Sequence, residues 1–98
     1  MTLVGTSKAM DDVIAERLRQ VNAEGWSYEH DDEHDEGELA MAAAAYCEHA
    51  TNQDDYVPGF WPWEQAAWKP KDARRDLVRA GALIVAEIER LDRAARES

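Results

Sequence analysis

Apolar residues recur at helical spacing in three stretches of this chain, and one stretch breaks the period. In the first, Met10, Val13, Ile14, Leu18 and Val21 return every three or four residues, which predicts a helix over about 8–24. Asp11 and Asp12 suit its N-terminal dipole end, and Gly25 is a good stop. Arg17 lies on the same stripe as Ile14 and Val21. It reads either as a stem packed on the core with its head in water or as an inward arginine paired with an anion. In the second stretch, Leu39, Ala42, Ala43, Tyr46, Cys47 and Ala50 make one apolar face, which predicts a helix over about 36–50. Asp35 with Glu38 three residues on resembles a capping box. The alanines leave little side-chain bulk, so another helix can approach closely.

The third stretch follows Pro70. Leu77, Ala80, Gly81, Ile84, Ile88, Leu91 and Ala95 form a stripe flanked by Val85, which predicts a helix over about 71–96. Such a helix is about 35–40 Å long, more than two shorter helices can cover. A homo-oligomer joined through this C-terminal helix is the expectation. Between the second and third helices, residues 51–70 carry Pro58, Gly59, Pro62 and Pro70, and read as a long loop. Tyr56, Phe60, Trp61, Trp63 and Trp68 give it an aromatic density that argues against disorder. No stretch alternates like a strand. The expected fold class is all-α: one domain over residues 1–98, with three main helices and an aromatic loop.

A length of 98 residues allows one modest core. No apolar run reaches the roughly 20 residues of a membrane span, and Met1–Ala9 lacks the apolar region of a signal peptide. Cys47 is the lone cysteine and reads as a small core residue of a cytoplasmic protein. The net charge of −10 opposes general nucleic-acid binding, which needs a basic face. The charge is uneven: residues 1–68 hold 3 basic and 15 acidic side chains, residues 69–98 hold 8 and 6. The C-terminal segment is therefore the natural electrostatic partner of the acidic one.

The densest acidic stretch is Glu29-His30-Asp31-Asp32-Glu33-His34-Asp35-Glu36-Gly37-Glu38. It reads as a solvated charge run, as a set of partners for cations, or as a metal site. If it were helical, His30 and His34 would share a face and, with a carboxylate, suit a transition metal. The zinc-protease order His-Glu-x-x-His is not present. A hard-metal alternative would draw magnesium to Glu38, Asp35 or Asp32 from one helix and Asp72 or Asp76 from the other.

The aromatic loop offers a second constellation. Trp61, Trp63 and Trp68 could form a stacking wall for a base, or plug the end of the helical core. Lys69, Lys71, Arg74, Arg75 and Arg79 follow directly, and phosphates could sit against them or at the N-terminus of the last helix.

These residues make a recognisable string. Glu16-Arg17-x-Arg19-Gln20, Glu24-Gly25-Trp26, Glu29-His30-Asp31-Asp32-x-His34, Gly37-Glu38-Leu39-Ala40 and Trp61-Pro62-Trp63 come in order. Trp68-Lys69-Pro70-Lys71, Arg75-Asp76-Leu77 and Ala86-Glu87-Ile88-Glu89-Arg90-Leu91-Asp92 follow. Over nearly its whole length the chain resembles a widespread family of small phage and prophage proteins. Small oligomeric phage proteins of this type include sponges that sequester nucleotide immune signals, such as cyclic ADP-ribose variants or cyclic dinucleotides, and so silence Thoeris or CBASS defence. That resemblance implies a host-cytoplasmic setting and a nucleotide-derived ligand. A weaker similarity, through Asp35-x-x-Glu38, is to the MazG-like all-α nucleotide pyrophosphohydrolases, which hold magnesium on acidic pairs. The nearest strict Glu-x-x-Asp here, Glu89-x-x-Asp92, lies far down the last helix.

Three functions follow as expectations. The first is a binding protein without catalytic residues or cofactor. In it, Trp61, Trp63 or Trp68 stack on a base, Trp26 belongs to the ligand-binding set, and Arg17, Arg19, Lys69 or Arg75 hold phosphates. Glu24, His30, Asp31, Asp32, His34, Glu38 and Asp76 meet sugar hydroxyls or orient the cations. The second is a magnesium-dependent pyrophosphohydrolase. The third is an acidic protein-interaction module that imitates DNA. The expected partners are the small molecule and further copies of the chain, with neither nucleic acid nor membrane.

Overall fold

The computed structural model describes residues 5–23, 25 and 27–97, and is all-α, with no strand among the described residues. Its helices are α1 (Lys8–Ala23), α2 (Tyr28–Asp32), α3 (Glu38–Asn52) and α4 (Ala73–Glu97), with one 3-10 turn at Gln65–Ala67. The three main helices fall where the apolar periodicity puts them, displaced by one or two residues at their ends. No helix among the described residues is long and apolar enough to cross a membrane.

Local chemistry sets the boundaries. The Ser7 hydroxyl accepts the Met10 N–H at 3.2 Å and starts α1. Gly25 follows α1 with φ +70, a left-handed conformation that L side chains rarely adopt. Ser27 caps α2 by accepting the His30 N–H at 3.1 Å. The expected capping box at Asp35 does not form. Gly37, at φ 88, is the N-cap of α3 with no side-chain hydrogen bond, and the Glu38 carboxylate turns back to accept the Glu36 N–H at 2.7 Å. Asp72 caps α4 by accepting the Arg75 N–H at 2.9 Å.

The core lies between α3 and α4. Leu39, Ala42, Ala43 and Tyr46 from α3 meet Ala80, Leu83 and Ala86 from α4, and Cys47, Trp61, Trp63 and Trp68 pack against this cluster. Mostly alanine at the seam lets the two helices approach closely, as the alanine run of α3 anticipates.

The outer helices depart from expectation. On α1 the buried side chains are Glu16, Arg17 and Gln20, while Met10, Ile14 and Leu18 are 49%, 42% and 55% exposed. On α4 the expected core stripe divides: Ala80 is buried, but Leu77, Ile84, Ile88 and Leu91 face outward. The periodicity is real in both helices, but the large aliphatic side chains of the predicted stripes lie on the open side of this chain, while Val78 and Leu83 of α4 turn inward.

Candidate functional site

Glu16 organises the polar interior of α1. It is 2% exposed. Its carboxylate accepts from Arg19 Nε and Nη2 at 2.9 and 2.7 Å, and from Arg75 Nη2 of α4 at 2.5 Å. Gln20 Nε2 donates to it at 3.3 Å, and Arg79 stands 3.8 Å away. Burial would push the Glu16 carboxyl up, but the hydrogen bonds from Arg19 and Arg75 outweigh it and hold the group below its ordinary value of 4.5.

Beside this network a hollow of about 440 Å³ opens between α1 and the first turns of α4. Arg19 lines it from α1; Arg74 and Arg75 line it from α4, next to the capping residue Asp72. Arg74 pairs with Asp12 at 2.9 Å on the surface, and Arg75 with buried Glu16, which holds its guanidinium the more firmly of the two. Lys8 and Arg74 together hold the Asp12 carboxyl below its usual value. A guanidinium presents five donors in a fixed fork, and one carboxylate occupies only part of it. The hollow also lies at the start of a 25-residue helix, where the dipole favours negative charge. Asp12, Glu16 and Asp72 share the lining with the three arginines, so an anionic group would use the guanidinium donors that these carboxylates leave open and the helix terminus.

The sequence-predicted residues divide into three groups and do not form one pocket. Arg19 and Arg75 line the hollow. Arg17 takes the inward alternative: Nη2 donates to Asp31 at 2.6 Å and Nε to Glu89 at 3.0 Å, with both Arg17 and Asp31 buried. Asp32 instead faces Arg93 of α4, which donates to it at 2.8 Å and lies 4.7 Å over the Tyr28 ring. Asp32 thus finds its counter-charge in the basic C-terminal segment, as the charge asymmetry of the sequence suggests, whereas Asp31 finds its own in α1.

The third group is aromatic. Trp68 stacks on Tyr46 with ring centroids 4.7 Å apart and planes at 27°. Trp61 meets Trp68 edge-on at 4.9 Å and Trp63 at 5.4 Å. His34 touches Trp63 at 5.2 Å and His30 at 4.8 Å, and its Nδ1 lies 3.4 Å from Glu38. The His30–His34 proximity anticipated for a helical segment is present, although α2 ends at Asp32. One face of Trp68 is already taken by Tyr46, and all three tryptophans pack against the core. Their packing is that of a plug. Lys69 contributes backbone: its N–H reaches the Tyr46 hydroxyl at 3.4 Å, and its carbonyl accepts from Arg79 at 2.8 Å.

Asp76 is 1% exposed and serves α4 and α3 together. It accepts the Lys71 N–H at 2.7 Å and the His49 Nδ1–H at 2.5 Å. Of the carboxylates considered for magnesium, Asp76 is therefore engaged with His49, Asp72 with the α4 cap and Glu38 with His34 and the Glu36 amide. Asp35 lines a separate surface hollow with Arg90. No group of three or more His, Cys, Asp or Glu side chains able to hold a metal ion occurs among the described residues. Glu24 and Trp26 lie outside the described residues.

Sequence reasoning passed over Glu16, His49, Glu89 and Arg93 as organising residues. Glu16 had a usable signal: it stands three and four residues before Arg19 and Gln20, on the flank of α1 away from Met10, Ile14 and Leu18. The partners of His49, Glu89 and Arg93 are distant in sequence, so no local spacing marks them. No protein-family model, curated protein or solved structure matches the chain.

Proposed function

We propose that this chain is a binding protein that sequesters a nucleotide-derived small molecule. The observation that carries the reading is the hollow at the start of α4, where Arg74 and Arg75 are pre-oriented by Asp12 and Glu16 and face Arg19. Phosphate groups would take the outer donors of these arginines and the dipole end of α4. Buried Glu16 fixes the geometry of Arg75 and Arg19 before a ligand arrives, which lowers the ordering cost of binding. With the resemblance of the sequence to phage proteins as its support, the ligand of this reading is a bacterial immune signal of the cyclic ADP-ribose or cyclic-nucleotide kind. In this reading the tryptophans hold the aromatic loop against the core.

Isothermal titration against a panel of cyclic nucleotides, cyclic ADP-ribose isomers and linear nucleotides tests the proposal. Binding to at least one of them, weakened at least tenfold by Arg75→Ala and by Arg74→Ala, is the expected result. Failure of every member of the panel to bind would remove the reading. Release of pyrophosphate from nucleoside triphosphates in magnesium would replace it with hydrolysis.

A further inference from the structure

The open apolar sides of α1 and α4 belong to one face. Leu77, Ile84, Ile88 and Leu91 fall within a sector of about 60° around α4, each between 46% and 52% exposed. Gly81 sits at the edge of that sector, and Val13 of α1 lies against it, so close that a methyl group on Gly81 would meet Val13 Cγ2 at 3.1 Å. Val13 in turn neighbours Met10 and Ile14 on α1. The charged contacts of Glu16 with Arg75 and Arg79 lie on the opposite flank of both helices. The two apolar stripes therefore border the same seam, along which Val13, Ile14, Leu18 and Val85 line a groove together with Arg17 and Glu89.

We infer that this α1–α4 face is the interface of a two-fold homodimer. At its fractional exposures the face leaves roughly 600–700 Å² of apolar surface open, more than a monomer ordinarily shows and near the ~800 Å² per partner of a standard interface. The spacing of the stripe names the occupant. Leu77 and Leu91 each stand seven residues from Ile84. Two α4 helices laid antiparallel about an axis at Ile84 thus set Ile84 against its copy and Leu77 against the partner's Leu91. Antiparallel packing also opposes the two helix dipoles favourably. The same operation sets the exposed Met10, Ile14 and Leu18 edge of α1 against its copy, so that two α1–α4 layers make a four-helix arrangement. Inverted burial on α1 follows: its polar edge is satisfied inside the chain, and its apolar edge is satisfied by the second copy.

Sedimentation velocity at micromolar concentration should give twice the chain mass, and Ile84→Glu should give the monomer with unchanged helical circular dichroism. Cross-linking tests the register even if Ile84→Glu unfolds. In a Cys47→Ala background, Ile84→Cys should oxidise to a covalent dimer. Leu77→Cys should cross-link only when mixed with Leu91→Cys. A monomeric wild-type chain would overturn the inference. So would self-cross-linking of Leu77→Cys as efficient as that of Ile84→Cys, which would mean parallel pairing.

Discussion

Arg17 on α1 donates to Asp31 on α2 at 2.6 Å, and the two side chains are 7% and 0% exposed. The pair ties a five-residue helix to the body of the fold, and Glu89 of α4 completes it at 2.9 Å. A buried ion pair is weak evidence of net stabilisation, because both charges have left water. Breaking it is a different matter, since the remaining charge is stranded.

Arg17→Ala should therefore destabilise the chain by about 3–5 kcal/mol. The double substitution Arg17→Met with Asp31→Leu should recover most of that loss. Urea denaturation of the three variants reads this directly. A loss below about 1 kcal/mol for Arg17→Ala would mean that Asp31 finds another partner at little cost.

The stability of the chain should fall in acid through Glu16 in particular. Its folded value lies below the ordinary 4.5, so the unfolded chain binds the proton first. The contribution of Glu16 is complete above about pH 4.5 and is lost as pH falls through the folded value. Glu38 shifts the same way, held down by its own backbone N–H and, against the opposing effect of burial, by the Glu36 N–H and His34. Glu16→Gln should lower stability at neutral pH and flatten the acid limb of a plot of urea midpoint against pH. An acid limb as steep as that of the wild type would assign the loss to other carboxylates.

How the helices would form was legible in the sequence; which way two of them would face was not. Periodicity places α1, α3 and α4 because it reports a repeating side-chain pattern. It carries no information on what covers that pattern. Alanine decided the α3–α4 seam, since Ala42, Ala43, Ala80 and Ala86 permit a close approach that larger residues would prevent. That left Ile84, Ile88 and Leu91 outside. α2 escaped notice because five residues cannot show a helical period, and only its Ser27 cap could have marked it. In the candidate site, the basic excess after Lys69 was visible as composition. The convergence of Arg19 with Arg75 on Glu16 joins residues 59 positions apart, and a single sequence holds no trace of that.

The stacking of Trp68 on Tyr46 makes the aromatic loop a structural element with a measurable stake in the fold. Trp68 is half-buried, so Trp68→Ala should cost about 2–3 kcal/mol, short of the 3–5 typical of a fully buried tryptophan. Trp68→Phe keeps a ring against Tyr46 and should cost less than half as much. With the tryptophans packed against the core as a plug, both variants should keep the ligand affinity of the wild type wherever they remain folded. A selective loss of affinity in a stable Trp68→Phe would instead put the indole against the ligand.

His49→Ala tests the link between the end of α3 and the start of α4. Asp76 is buried, and His49 supplies one of its two short hydrogen bonds, the other being the Lys71 N–H. Gln53 Nε2 stands 3.4 Å from the same carboxylate oxygen and is too long to substitute without movement. Removing the imidazole should therefore cost about 1–3 kcal/mol, the penalty for a buried acceptor left short of a donor. The loss should be local as well as global. With Asp76 released, the Lys71 N–H loses its fixed acceptor, and the first turn of α4 loses the contact that orients it. Hydrogen exchange at Lys71 and Arg75 should then accelerate more than exchange in the middle of α4, around Leu83. Uniform acceleration along α4 would mean that His49 acts only through total stability. Asp76→Asn gives the complementary reading, because an amide oxygen still accepts the Lys71 N–H while the charge that meets His49 is gone. It should preserve slow exchange at Lys71 and lose stability all the same.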